Sequence, residues 1–110
     1  MDLDRQLKAL SDETRIRIVK LLANDLCVSA LAQRIGISDA AASQHLKVLR
    51  EAGLVKGEKR GYWTHYFVLE EELESLANEI RSLAKGAEDE AFRCRREGSN
   101  CPQNCADRSP

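Results

Sequence analysis

Four cysteines carry most of the chemical potential of this 110-residue chain: Cys27, Cys94, Cys101 and Cys105. The last three fall within twelve residues. Arg93, Arg95 and Arg96 flank Cys94, and nearby positive charge favours thiolate over thiol. Three thiolates form a soft trigonal donor set suited to arsenite or antimonite; a fourth ligand would suit tetrahedral zinc or cadmium. The spacing C-x6-C-x3-C is not one of the strong metal motifs. The same thiols allow a redox-active pair of Cys101 and Cys105, or a free tail with no role. Cys27 lies between Leu26 and Val28, where a cysteine commonly serves as a small buried apolar residue.

A second set of residues suits duplex nucleic acid. Ser43, Gln44 and His45 carry hydroxyl, amide and imidazole groups that pair with base edges, and Lys47, Arg50, Lys59 and Arg60 carry charges that suit phosphates. Ala40 and Ala41 are small enough to allow close approach or contact with thymine methyls. The net charge of −1 hides an uneven distribution. Residues 1–69 hold eleven Lys/Arg against eight Asp/Glu, and residues 70–110 hold six against ten. A basic patch beside an acidic segment fits a DNA reader with a separate non-DNA surface.

These residues must be positioned by local elements. Leu3, Leu7 and Leu10 mark a short helix. Ser11 is a candidate N-cap for a second helix, with Ile16, Val19, Leu22 and Ala23 as its apolar stripe and a stop near Asn24-Asp25. Leu26-Cys27-Val28 is a short apolar stretch. Ser29 can cap a third helix with Leu31, Ala32 and Ile35 inward, stopped by Gly36. Ser38 caps a fourth helix from about Ala40 to Ala52, with Ala42, Leu46 and Leu49 inside. Two short capped helices joined by a tight turn make a helix-turn-helix. Leu54-Val55-Lys56 and Tyr62 to Leu69 read as strands around a polar turn, Gly57 to Gly61. Lys59 and Arg60 then sit at a hairpin tip, and Trp63 and Tyr66 read as packing residues. Residues 70–92 predict a long acidic helix with Leu73, Leu76, Ala77, Ile80, Leu83, Ala84 and Ala87 at helical spacing. The fold expected is mostly α with a small β-hairpin, a winged helix-turn-helix. Residues 1–92 would form the DNA-binding and dimerisation domain, and residues 93–110 a cysteine-containing tail.

The strings Leu7-Lys8-Ala9-Leu10-Ser11-Asp12-Glu13-Thr14-Arg15-Ile16-Arg17-Ile18 and Ser43-Gln44-His45-Leu46-Lys47-Val48-Leu49-Arg50-Glu51-Ala52-Gly53-Leu54-Val55 resemble the ArsR/SmtB family of metal-sensing repressors. Gly61-Tyr62-Trp63-Thr64-His65-Tyr66 follows where the family has its wing, and the resemblance covers roughly residues 5–85. It implies a homodimer through the first and last helices that represses a promoter until an effector binds. On that reading Ala40, Ala41, Ser43, Gln44, His45, Lys47, Arg50, Lys59 and Arg60 face operator DNA. Cys27 falls where family members carry Cys-x-Cys, but the second position here is Ser29, a poor ligand for soft metals. The family's Asp/His site on the last helix is not expected, because residues 70–92 contain no histidine. Some arsenic-responsive relatives bind through cysteines near this helix, which points to Cys94, Cys101 and Cys105, with arsenite or another thiophilic ion as effector. The alternatives are a thiol redox regulator on the same fold and a thiol enzyme. Against the enzyme stand the lack of Cys-x-x-Cys, of a phosphate loop and of an evident general base. A polar N-terminus and the lack of a long apolar run make the cytoplasm the expected compartment.

Overall fold

The computed structural model describes residues 2–86. In chain order its elements are α1 (Leu3–Ala9), α2 (Glu13–Leu21), β1 (Leu26–Cys27), α3 (Val28–Ile35), α4 (Asp39–Glu51), β2 (Val55–Arg60), β3 (Trp63–Val68) and α5 (Glu70–Ser82), followed by a 3-10 turn at Leu83–Lys85. The three strands form one antiparallel sheet in the order β1-β3-β2. This is the winged helix-turn-helix expected from the sequence, with a third, two-residue strand added.

α2 and α4 start at side-chain oxygens. The Asp12 carboxylate accepts from the backbone N–H groups of Thr14 at 2.7 Å and Arg15 at 3.3 Å, so Asp12 caps α2. Ser11, the cap expected from the sequence, instead donates its hydroxyl to the Lys8 carbonyl at 2.7 Å. Both residues are competent caps, and the ionised oxygen also meets the positive end of the helix. α2 ends at Leu21, short of the expected stop at Asn24-Asp25. α3 begins two residues earlier than expected. Cys27 takes the N-cap position, and Ser29 lies inside the first turn, where its hydroxyl donates to Asp39 Oδ2 at 2.9 Å. Gly36 ends α3 at φ +87, a left-handed conformation that a side chain would oppose. Ser38 then caps α4 by accepting from Ala41 N–H at 3.0 Å.

The core is aliphatic. Ile18, Leu22, Leu31, Leu46, Leu49, Leu54 and Val55 are its largest fully buried side chains. Each is worth about 1.5–3 kcal/mol of burial. Two helices keep most of the expected inner residues, with Leu3, Leu10, Val19 and Leu22 in or against the core, but turn part of each stripe outward. In α2 the inner residue is Ile18, with Leu22 one turn on, while Ile16 is exposed. In α1 the buried residues are Gln6 and Ala9, while Leu7 is exposed. Both alternatives satisfy helical spacing, so periodicity alone does not separate them.

The hairpin is longer than its composition suggests. The polar stretch Glu58-Lys59-Arg60 continues β2, and the loop shrinks to Gly61-Tyr62, with Gly61 at φ +67. Backbone pairing holds a solvated hairpin that side-chain patterning does not mark. Leu26, Val55, Tyr66 and Val68 pack on the core. The alternate residues Cys27, Glu58, Arg60, Trp63 and His65 share the opposite face of the sheet. Tyr66 packs as expected; Trp63 does not, being 58% exposed.

α5 was expected to run to residue 92. It ends at Ser82, and the 3-10 turn closes at Gly86; the rest of that span, with Ala87, lies outside the described residues. Of its stripe only Leu76 is buried; Leu73 is half-buried, and Ile80 and Leu83 are 43% and 59% exposed.

Leu49→Ala is expected to lower unfolding free energy by about 2–5 kcal/mol through transfer and cavity terms. Urea unfolding should show a shifted midpoint at unchanged slope.

Candidate nucleic-acid interface

α4 is seated by burial on one side and by polar bonds at both ends. Ala42, Leu46 and Leu49 are 0–2% exposed. Helical geometry therefore turns Ala40, Ser43, Gln44, Lys47 and Arg50 to solvent, and all five are exposed. Ala41 and His45 are half-buried at the flanks of that face. At its start α4 is tied to α3 by the Ser29–Asp39 bond. At its end, Gln6 donates from Nε2 to the Ala52 carbonyl at 3.2 Å, and Arg5 from Nη1 to the Glu51 carbonyl at 3.5 Å. These are carbonyls that a helix terminus leaves without an intrahelical partner. Gln6 is the buried polar residue of the core, 2% exposed, and nothing in its sequence context marked it.

Arg15 holds the middle of α4. Its Nε donates to the Ala9 carbonyl at 2.7 Å, and its Nη1 lies 3.2 Å from His45 Nδ1 and 3.8 Å from Asp12 Oδ2. A guanidinium only donates, so in this bond His45 Nδ1 is the acceptor. His45, expected at the DNA, is thus also the contact that joins α4 to α2. The Asp12 carboxyl is held below its usual range, first by the Arg15 backbone N–H, with the Thr14 N–H and the Arg15 charge adding to it against the opposing effect of burial.

The wing carries the second group of expected contacts. Lys59 and Arg60 are exposed, and they end β2 rather than form the loop. Arg60 is engaged within the protein. Its Nε and Nη2 donate to Glu58 Oε1 at 3.2 and 3.1 Å, and its Nη1 pairs with Asp25 Oδ2. Nη1 also lies 3.5 Å from His65 Nδ1. The Glu58 bonds, then Asp25, raise the Arg60 pKa further and keep its charge fixed. Lys47, Arg50 and Lys59 make no ion pair among the described residues, so their charges are available to an anionic partner. At the wing's apex Tyr62 is fully exposed. Tyr62 is expected from the sequence as the first residue of the second strand; β3 instead starts at Trp63, and Tyr62 lies in the two-residue loop after Gly61.

The thiol chemistry is less developed in this part of the chain. Cys27 is a half-buried free thiol, and Ser29 is committed to Asp39. Among the described residues no group of three His, Cys, Asp or Glu side chains could hold a metal ion. Cys94, Cys101 and Cys105 lie outside the described residues. No described helix is long and apolar enough to cross a membrane.

A capped helix pair with an unpaired basic and amide face, beside a braced hairpin, defines a winged helix-turn-helix transcriptional regulator. Comparison with known proteins narrows this. Residues 12–56 match the family model described as bacterial regulatory protein, arsR family. The arsenical resistance operon repressor of Escherichia coli (strain K12) is 40% identical over 92 residues, spanning 82% of this chain and 72% of that protein. An ArsR-like transcriptional regulator from Rhodococcus sp. RHA1 superposes with a TM-score of 0.70 at 36% identity, covering 76% of this chain and 79% of that one. A homodimeric winged helix-turn-helix domain from Mycobacterium bovis gives 0.62 at 30% identity, covering 74% and 77%. The chain belongs to the ArsR family, and it is a regulator rather than an enzyme.

The lowered Asp12 pKa sets an acid limit. Its stabilisation is complete above the unfolded carboxyl's value of about 4 and is lost as pH falls through the lower folded value. Thermal unfolding between pH 2 and pH 6 should show this loss in the wild type, and Asp12→Asn should weaken the pH dependence.

Proposed function

We propose that this protein is a homodimeric repressor that binds operator DNA and is released by a thiophilic metal or metalloid ion, arsenite or antimonite foremost. The observation that carries the DNA reading is the outer face of α4, where Ser43, Gln44, Lys47 and Arg50 are exposed while the helix is held at both ends. A rigid helix with that face suits the major groove. Ala40 and Ala41 allow close approach, Ser43 and Gln44 read bases, and His45 contributes from the flank. Lys47, Arg50 and Lys59 meet phosphates. Arg60 brings its charge to the wing while its hydrogen bonds stay on the protein.

Dimerisation is proposed through α1 and α5, which pack together and expose Leu7, Ile80 and Leu83. A second copy would cover these residues, and the homodimeric state of the Mycobacterium bovis domain supports it. Residues 1–92 would form this unit. The effector ligands proposed are Cys94, Cys101 and Cys105 in residues 93–110, since the described residues offer no metal cluster. The Escherichia coli relative's name, a repressor of arsenical resistance, supports the effector class. Because α5 packs on α1, and α1 bonds the end of α4, a shift of α5 would reach the recognition helix. Such a protein would act in the cytoplasm, on the DNA there.

DNA binding should weaken linearly in log affinity against log salt, by about 0.9 per phosphate neutralised. Lys47→Ala or Arg50→Ala should reduce that slope by about 1, and Gln44→Ala should relax base preference at one position by about 1–3 kcal/mol. A slope near zero would remove the interface.

Replacing Cys94, Cys101 and Cys105 together by Ser should keep DNA binding and abolish release. In a panel of arsenite, antimonite, cadmium, zinc and a thiol oxidant, release should respond to arsenite or antimonite, with affinity falling roughly 5–150-fold. Arsenite release of the triple variant would overturn the site, and release by oxidant alone would make the protein a redox regulator.

A further inference from the structure

The wing ends in two large aromatic side chains that the core does not use. Tyr62 is fully exposed and Trp63 is 58% exposed, and neither belongs to the buried cluster or to the residues packed on it. They are consecutive in the chain, Tyr62 in the two-residue loop opened by Gly61 and Trp63 at the first position of β3. Adjacent exposed aromatics at the apex of a hairpin mark a contact surface more than a folding need.

The base of the apex is braced. Arg60 is the cross-strand partner of Trp63, so both side chains leave the same face of the sheet. The Arg60 guanidinium is bonded to Glu58 on its own strand and to Asp25 just before β1. This ties the hairpin end to the body of the domain immediately below the tip. It also means that the hydrogen bonds of Arg60 are satisfied within the protein, so contact at the apex falls to the aromatics. The surrounding charge is favourable to DNA: Lys56, Lys59 and Arg60 on β2 outnumber the two carboxylates that share Arg60, Glu58 and Asp25.

We propose that Tyr62 and Trp63 form an aromatic wedge that enters the minor groove of duplex DNA and packs on sugar faces and base edges. The proposal rests on the DNA reading above and adds residues to it. Apolar side chains inserted from the minor groove unstack base steps and bend the duplex, with flexible pyrimidine–purine steps deforming most readily. The wing would therefore select for deformable sequence flanking the bases that α4 reads.

Trp63 is the chain's only tryptophan, so its fluorescence reports the wing alone. The test uses the full chain and a duplex that it selects from a random-sequence library. Binding is followed by anisotropy of an end-labelled duplex, and Trp63 accessibility by acrylamide quenching with the unlabelled duplex. The expected result is binding accompanied by a fall in acrylamide quenching. The Tyr62→Ala, Trp63→Ala double variant should bind roughly tenfold more weakly, with an unchanged thermal midpoint because both residues are exposed. Binding with unchanged Trp63 quenching overturns the wedge and leaves the DNA reading intact. No binding to any selected duplex overturns both. Protection of Trp63 that grows with protein concentration alone places the tip on a second copy and also overturns it.

Discussion

The seating of α4 is the constraint on which the remaining structure depends. A side chain that reads a base must be placed to within a fraction of a hydrogen-bond length, and a surface helix has no such precision by itself. Here Ala42, Leu46 and Leu49 sink fully into an aliphatic core that also takes Ile18, Leu31, Leu54, Val55 and Leu76 from four other regions of the fold. The polar face is outward because the apolar face has nowhere else to go. Burial is nondirectional, however, and leaves sliding and rotation to be restrained by other means.

Polar bonds supply that restraint, from three neighbouring helices. Ser29 holds Asp39 at the first turn, Arg15 holds His45 in the middle, and Gln6 and Arg5 hold the last carbonyls. Arg15 also binds the end of α1 and approaches the cap of α2. The consequence is mechanical. α1 touches both α5 and α4, so a displacement of α5 can reach α4 through one packed element. On the wing, Arg60 does the equivalent work by tying β2 to Asp25.

Much of this was legible in the sequence. Gly36, Ser38 and the Ala42/Leu46/Leu49 spacing located the helix-turn-helix, because caps and glycine stops are local chemistry. The hairpin was visible from the alternation of Tyr66 and Val68 with Phe67, though not its length, because Glu58-Lys59-Arg60 carries no apolar alternation. β1 escaped notice because two residues carry no period. The buried Gln6 and the outward Leu7 escaped because either face of α1 fits helical spacing, and only the carbonyls at the end of α4 decide between them. The same applies to Ser11 and Asp12, where two good caps are adjacent and only one meets the helix. Of the expected DNA contacts, the sequence could not reveal that His45 bonds Arg15 or that Arg60 pairs with Asp25, since these partners are remote in the chain.

The central claim is that two copies of α4 are presented to a duplex as a matched pair. Footprinting on a duplex selected by the protein tests this most directly, with hydroxyl radicals for the backbone and dimethyl sulfate for major-groove guanine N7. The account predicts two protected patches related by twofold symmetry, with N7 protection inside each and centres about a whole number of helical turns apart. A single unsymmetrical patch, or backbone protection without protection of any N7, would contradict it.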